Sequence, residues 1–245
     1  MLGEDCLLSM KNVHSFRNLL YAVSNKSGGN MDFKWGSERE VLSNRKLFLK
    51  NNEINLDDIV AMEVEHEERI LIADSSMKGK VIFTEALITK EKNLPLFLTT
   101  ADCLPIAFWD AQSEVIALAH CGWRPTNRKL VSKVIARMEA EFNSNPKDLF
   151  VSIGPGIHKE SYIFKNPIQK TIPDWFEFLE DTPEGDTHID LVGYNKAQLL
   201  EAGIPENQIE IDSNDTFLSE DYFSHFRSVR TEEQESRFAT VLMLR

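Results

Sequence analysis

The sequence predicts an α/β protein: a mixed β-sheet flanked by helices, in one domain spanning residues 1–245. Short apolar runs bounded by turn residues recur along the chain, as strands do. Other segments carry apolar residues at helical spacing. The two kinds of segment follow one another without the regular βαβ rhythm of a parallel sheet, which favours a mixed one. With 245 residues, 42% of them hydrophobic, the chain can bury a sizeable core.

The elements follow in order. GSEREVLSNRKLFLKN, residues 36–51, reads as a helix: Ser37 and Glu40 stand at capping-box spacing, and Val41, Leu42, Phe48 and Leu49 mark a buried side. Arg45 lies on that side, where its structural role would be to snorkel toward water. Strands are expected at Ile59–Glu65, Arg69–Ala73 and Leu96–Thr100. LPIAFW (104–109) and VIALAH (115–120), separated by the polar DAQSE, read as a hairpin. If Trp109 pairs with Glu114 beside the turn, Cys103 pairs with His120 and their Cβ atoms come to about 5 Å. Cys121 then points to the opposite face.

RPTNRKLVSKVIARMEAEF (124–142) reads as one helix, with Leu130, Val131, Val134, Ile135, Met138 and Phe142 as its stripe. Pro125 suits its entry, and Arg124 with the amides that follow lies at the positive end of the helix dipole, favourable for an anion. LFVSIGPG reads as a strand running into a glycine-proline turn, DWFEFLED as a short helix, and DLVGYNKAQLLEAG as a longer one stopped by Gly203. QIEID and RFATVLML read as late strands.

A net charge of −12 disfavours nucleic acid as a partner, since phosphate-neutralising cations are outnumbered. A local basic pocket for a small anion is compatible with it. No run of about 18 apolar residues is present, so no membrane span is expected. MLGEDCLLSMKNVHS lacks the basic and apolar regions of a secretory signal. The cysteines, Cys6, Cys103 and Cys121, are too few and too odd in number for a disulfide framework, and a cytoplasmic setting is expected.

The histidines are His14, His66, His120, His158, His188 and His225. A histidine near a strand end is usually structural, but His120 has Cys103 as its expected neighbour and His66 ends the apolar run IVAMEVEH. Two histidines and a cysteine can hold a tetrahedral zinc and leave its fourth position open. The same atoms also suit a thiol hydrolase, with Cys103 as nucleophile and His120 as base, or a blue-copper centre. Asp102 adjoins Cys103 on the other strand face and is a poor candidate to orient His120. Six histidines are too few for a multicopper cluster. Spacing alone does not choose among these readings, because no compact CxxC or HExxH pattern is present.

Over roughly residues 20–245 the chain resembles the YfiH-like proteins, also called the laccase-domain, multicopper polyphenol oxidase or peptidoglycan editing factor family. TADCLPI (100–106, preceded by Thr99) and AHCGWRP (119–125) carry most of the resemblance, with weaker support from SGG (27–29), NR (44–45), VEH (64–66), IGPGI (153–157) and FSHFR (223–227). The resemblance implies an α/β sandwich, distantly similar to the catalytic domain of cytotoxic necrotizing factors, whose Cys-His pair deamidates glutamine. It implies His66, Cys103 and His120 as metal ligands. It also implies purine nucleoside chemistry: phosphorolysis of adenosine, inosine, guanosine or methylthioadenosine, together with adenosine deamination.

The expected cofactor is therefore zinc, with copper as a substitute ion, and the expected partners are a small-molecule nucleoside and phosphate. His66, Cys103, His120 and Arg124 are the expected catalytic residues, and Lys26, Arg45 and Arg227 the remaining candidates for an anion cradle acting by charge-assisted hydrogen bonds. The substrate shell departs from the family pattern. The family's Q-V-H-G is Val64-Glu65-His66-Glu67, the alanine and last glycine of H-A-G-W-R-G are Cys121 and Pro125, and F-F-S-Y-R-R is reduced to YFSHFR. The alternatives are a Cys-His amidase and a non-catalytic metal-binding relative.

Overall fold

The computed structural model describes residues 18–245; Cys6 and His14 lie outside the described residues. Among these, the strands in chain order are β1 (Leu19–Val23), β2 (Val60–Glu63), β3 (Ile70–Ile72), β4 (Val81–Phe83), β5 (Ala86–Thr89), β6 (Leu96–Thr100) and β7 (Leu104–Asp110). They continue with β8 (Val115–Cys121), β9 (Leu149–Ile153), β10 (Ile163–Lys165), β11 (Leu179–Asp181), β12 (Asp186–Ile189), β13 (Ile209–Ile211) and β14 (Phe238–Leu244). The helices are α1 (Glu38–Asn51), α2 (Trp123–Asn127), α3 (Leu130–Phe142), α4 (Leu191–Glu201) and α5 (His225–Ser228).

Two mixed sheets stack face to face. The first runs β1-β14-β6-β2-β4 and the second β13-β9-β7-β8-β5-β3, while β10, β12 and β11 form a small third sheet. Alternation along each strand sends one set of side chains between the large sheets. Val60, Met62, Leu96, Leu98 and Leu242 meet Leu87, Ala107, Ile116 and Leu118 there. The other faces are covered by helices. Leu49 of α1 packs with Phe97, Ala239 and Val241 on the first sheet. Val131, Val134, Ile135 and Met138 of α3 pack with Ile106, Phe108 and Ala117 on the second. β7 and β8 are covered on both sides and buried at every residue, so they read in the sequence as unbroken apolar runs. The expected sandwich with flanking helices is the observed architecture.

Several local expectations are corrected. The hairpin pairs Trp109 with Ile116 and Pro105 with His120, two residues away from the expected register. The Asp110 carboxylate accepts from the backbone N–H of Gln112 and Ser113, at 2.8 and 3.0 Å, and so holds open a four-residue turn. Cys103 therefore lies just before β7 and does not pair with His120. A shift of two preserves the faces: Cys121 sits among the α3-facing residues, as expected.

The single helix expected over 124–142 is two. Lys129 adopts a left-handed backbone, φ 60°, between α2 and α3. DWFEFLED is a 3-10 turn, Pro173–Phe178, followed by strand β11. The helix expected from Ser37 is α1, with the Ser37 hydroxyl accepting from the Glu40 N–H. Gly203, at φ 94°, ends the region of α4 as expected. No helix among the described residues is long and apolar enough to cross a membrane.

Candidate metal centre

Three backbone segments converge at one end of the sandwich. His66 follows β2 of the first sheet and has a left-handed backbone, φ 61°. Cys103 lies in the short link Ala101–Cys103 that carries the chain from β6 in the first sheet to β7 in the second. His120 sits near the end of β8. One ligand atom from each of the three lies within 4.8 Å of the others, close enough to share one ion. The imidazoles of His66 and His120 meet edge to face at 5.0 Å. The register correction thus leaves the juxtaposition intact while changing its cause: a crossing between sheets, rather than a hairpin pair, delivers the thiol.

The donor set suits a borderline-soft ion, and its surroundings fit one. His120 is 2% exposed, and its Nδ1 lies 2.7 Å from the Glu85 carboxylate. That contact leaves Nε2 as the ring nitrogen free to act as a ligand, the arrangement by which a carboxylate fixes tautomer and ring orientation. Glu85 is itself held by the backbone N–H groups of Glu65 and Glu67, on either side of His66. One carboxylate therefore positions both histidines. Gly122 completes the cradle, since a Cβ there would stand 2.8 Å from the Cys103 sulfur and 3.5 Å from the His66 ring.

Electrostatics favours the ligand form of the cysteine. Burial pushes the Cys103 thiol up, but the neighbouring imidazoles, His120 before His66, outweigh it and bring the pKa down to about 6. Burial pulls His120 down, whereas Cys103 and then Glu85 raise it to about 9. Cys121, buried on the other face, is pushed upward by burial first and by the charges of Glu85 and Cys103 after it. Asp102 has φ 77°, and its carboxylate accepts from Thr216 Oγ1 at 2.7 Å and from the Phe226 N–H at 2.6 Å. It does not orient His120; it ties the Cys103 link to α5.

His66 and Cys103 open onto a cavity of about 400 Å³ whose wall includes Trp123, Arg124, Tyr162, Phe164, Phe226 and Arg230. Tyr162, Phe164 and Phe226 form an edge-to-face cluster with centroids 5.2–5.8 Å apart. Arg124 lines this cavity, but through its side chain: α2 is only five residues long, so the expected dipole of a long helix is absent.

The other expected cradle residues do not line it. Lys26 Nζ is 2.6 Å from Glu233. Arg227 is bonded to Glu233 and to the carbonyls of Thr216, Phe217, Ser219 and Tyr222, which leaves its fork committed to internal partners. Arg45 is buried rather than snorkelling: its Nε donates to the Met31 carbonyl at 2.7 Å and its guanidinium lies between the rings of Phe33 and Phe97. Burial lowers its pKa to about 10, partly offset by Asp32 and Glu63. Glu85 and Arg230 are the residues sequence reasoning missed. An acid placed just before a short apolar strand carries no local signal, and Arg230 stands outside the motif that ends at Arg227.

Fold and site define a stacked-sheet α/β protein with a His-Cys-His centre at the mouth of an aromatic cavity. The chain belongs to the family described as multi-copper polyphenol oxidoreductase laccase, whose model matches residues 15–245. It is 27% identical to a purine nucleoside phosphorylase of Bacteroides thetaiotaomicron over 240 residues, covering 89% of each chain. It is 25% identical to adenosine deaminase RL5 of an unknown prokaryotic organism over 222 residues, covering 84% of each. The crystal structure of YlmD from Geobacillus stearothermophilus superposes with a TM-score of 0.86 at 26% identity, covering 94% of this chain and 93% of that one.

Proposed function

We propose that this protein is a zinc-dependent purine nucleoside phosphorylase that also deaminates adenosine, working on adenosine, inosine, guanosine or methylthioadenosine in the cytoplasm. The observation that carries the reading is the His66–Cys103–His120 cluster, whose His66 and Cys103 line a cavity of nucleoside scale with aromatic walls. The names of the similar proteins supply the reaction classes.

His66, Cys103 and His120 would hold the ion, with zinc the best match to the donor set and copper a substitute. When bound, zinc supplies Lewis acidity for activating water. Tyr162, Phe164 and Phe226 offer faces and edges to a purine ring. Glu85 keeps a proton on His120 Nδ1 and so holds the ring in one orientation. Arg124 provides charge-assisted donors at the cavity wall, where a negative co-substrate would otherwise be poorly solvated. The aromatic walls displace water from around a bound sugar, which strengthens each of these polar contacts.

The test is to incubate metal-replete protein with a nucleoside panel, with and without phosphate, and to identify released bases, sugar phosphates and ammonia. Phosphate-dependent release of base is the expected result; no turnover of any purine nucleoside would overturn the reading.

One observation favours a second reading. Cys103, His120 and Glu85 stand in the nucleophile–base–orienter order of a thiol hydrolase, with Glu85 2.7 Å from the far ring nitrogen. Such an enzyme would retain its activity in chelator and lose it on alkylation of Cys103, the reverse of the zinc reading.

A further inference from the structure

We propose that Arg230 is the principal binding residue for inorganic phosphate at this site, placing the anion at the outer edge of the aromatic wall. The inference rests on the nucleoside phosphorylase reading for its choice of anion, but the site itself is argued from side-chain commitments. Lys26, Arg45 and Arg227 are consumed by a carboxylate, by backbone carbonyls or by burial between rings. Arg124 and Arg230 line the cavity, and among the described residues neither forms an ion pair.

Arg230 is the better prepared of the two. Its guanidinium carbon lies 3.2 Å from the centroid of the Phe226 ring, and Nη1 donates to the Phe226 carbonyl at 2.9 Å. Stacking on a ring and one anchoring bond fix the plane of the fork, while the rest of its five N–H donors stay free for a tetrahedral oxyanion. Arg124 also stacks, on Trp123 at 4.7 Å, but no hydrogen bond fixes its rotation among the described residues.

The platform is referenced to the metal centre. The Phe226 N–H is bonded to Asp102, the residue before Cys103, so the ring beneath Arg230 and the sulfur ligand are positioned by one carboxylate chain segment. Arg230 also borders a second depression, which shares Phe164 and Phe226 with the first. A phosphate held there can arrive from solvent while a nucleoside already fills the inner cavity. That placement suits a two-substrate reaction in which the anion and the nucleoside occupy adjoining spaces.

Isothermal titration of the metal-replete protein with orthophosphate tests the proposal without relying on turnover. Arg230→Gln is expected to weaken phosphate binding about tenfold or more, the loss of at least one charge-assisted contact. Arg137→Gln, an exposed change on α3 where Arg137 pairs with Glu141, is expected to leave it unchanged. Arg230 is exposed, and the variant's melting temperature shows whether losing its stacking on Phe226 disturbs the fold. Where nucleoside turnover is measurable, the variant should raise KM for phosphate. Equal orthophosphate affinity in Arg230→Gln and wild type overturns the proposal, even if phosphorolysis is present. Loss of adenosine 5′-monophosphate binding with orthophosphate binding intact also overturns it, by moving Arg230 to a substrate's own phosphate. Absence of all nucleoside chemistry, with phosphate binding still lost in Arg230→Gln, would sink the phosphorylase reading and leave the anion site standing.

Discussion

Glu85 and His120 form a buried pair, 2.7 Å apart and each no more than 3% exposed in its side chain, at the one point where both histidine-bearing segments can be held by a single group. Replacing Glu85 with Gln keeps the shape but puts an amide N–H₂ among the N–H donors of Glu65, Glu67 and His120. Metal affinity is expected to fall by about 10–100-fold. Competition with a chromophoric chelator measures it, and an unchanged affinity would show that the pair is structural only.

Gly122→Ala is expected to lose the ion while keeping the fold. Gly122 has φ −78°, ordinary for alanine, so the objection to a methyl group is its 2.8 Å approach to the Cys103 sulfur. Metal content should drop well below one per chain, with chelator-treated wild type and variant melting within a few degrees of each other. Full metal occupancy in the variant would mean that the sulfur is not a ligand.

Chelation should unmask one cysteine selectively. Cys103 is half-buried at the cavity and Cys121 is fully buried beneath α3. With the ion bound, mass-spectrometric mapping should find neither alkylated; after chelation Cys103 should react and Cys121 should not, and returning zinc should protect Cys103 again. Alkylation of Cys103 at the same rate with and without chelator would contradict a metal-bound thiolate.

Glu233 supplies a pH signature. Arg227 first, and Lys26 after it, draw its pKa from the usual 4.5 to about 2, against a smaller upward push from burial. A depressed carboxyl pKa means that the folded state binds its proton less readily than the unfolded chain. The stabilisation is thus complete above about 4.5 and is lost as pH falls toward 2. Wild type should melt higher than Glu233→Gln at neutral pH, and the gap should close between those limits. A gap that persists undiminished at pH 2 would show that charge is not its source.

Copper-loaded protein should reduce oxygen to water poorly or not at all. Six histidines in the whole chain, one of them tied to Glu235 and another to a backbone carbonyl, cannot furnish a multinuclear copper cluster alongside the His-Cys-His centre. Sustained oxygen uptake with a phenolic donor, at rates far above those of free copper, would overturn this.

Much of this arrangement was legible in the sequence, and the misses have physical causes. The capping box of α1, the stripe of α3 and the strand at Leu96–Thr100 appear as read, because each depends on residues within one turn or one strand. The hairpin register depended on one side chain, Asp110, closing a wider turn than the apolar pattern suggests. β5 escaped notice because a four-residue strand buried on both faces has no alternation to detect. The candidate ligands His66, Cys103 and His120 were visible through motif resemblance, whereas Glu85, 35 residues from its partner in sequence, was not. Counting cations could not tell that Arg227 would be spent on four carbonyls.

The candidate ligands do not all belong to one layer: His66 leaves the first sheet, His120 lies on the second, and Cys103 sits on the chain that crosses between them. An ion shared by the three is consequently a rivet through the sandwich, and its release should loosen the two layers at that edge while the opposite edge stays closed. Occupancy then becomes readable without any substrate, as faster amide exchange confined to the ends of β2, β6 and β8. The same edge puts His66 and Cys103 in the cavity wall, so the grip on an ion and the shape of that wall would be set by a single mechanical joint.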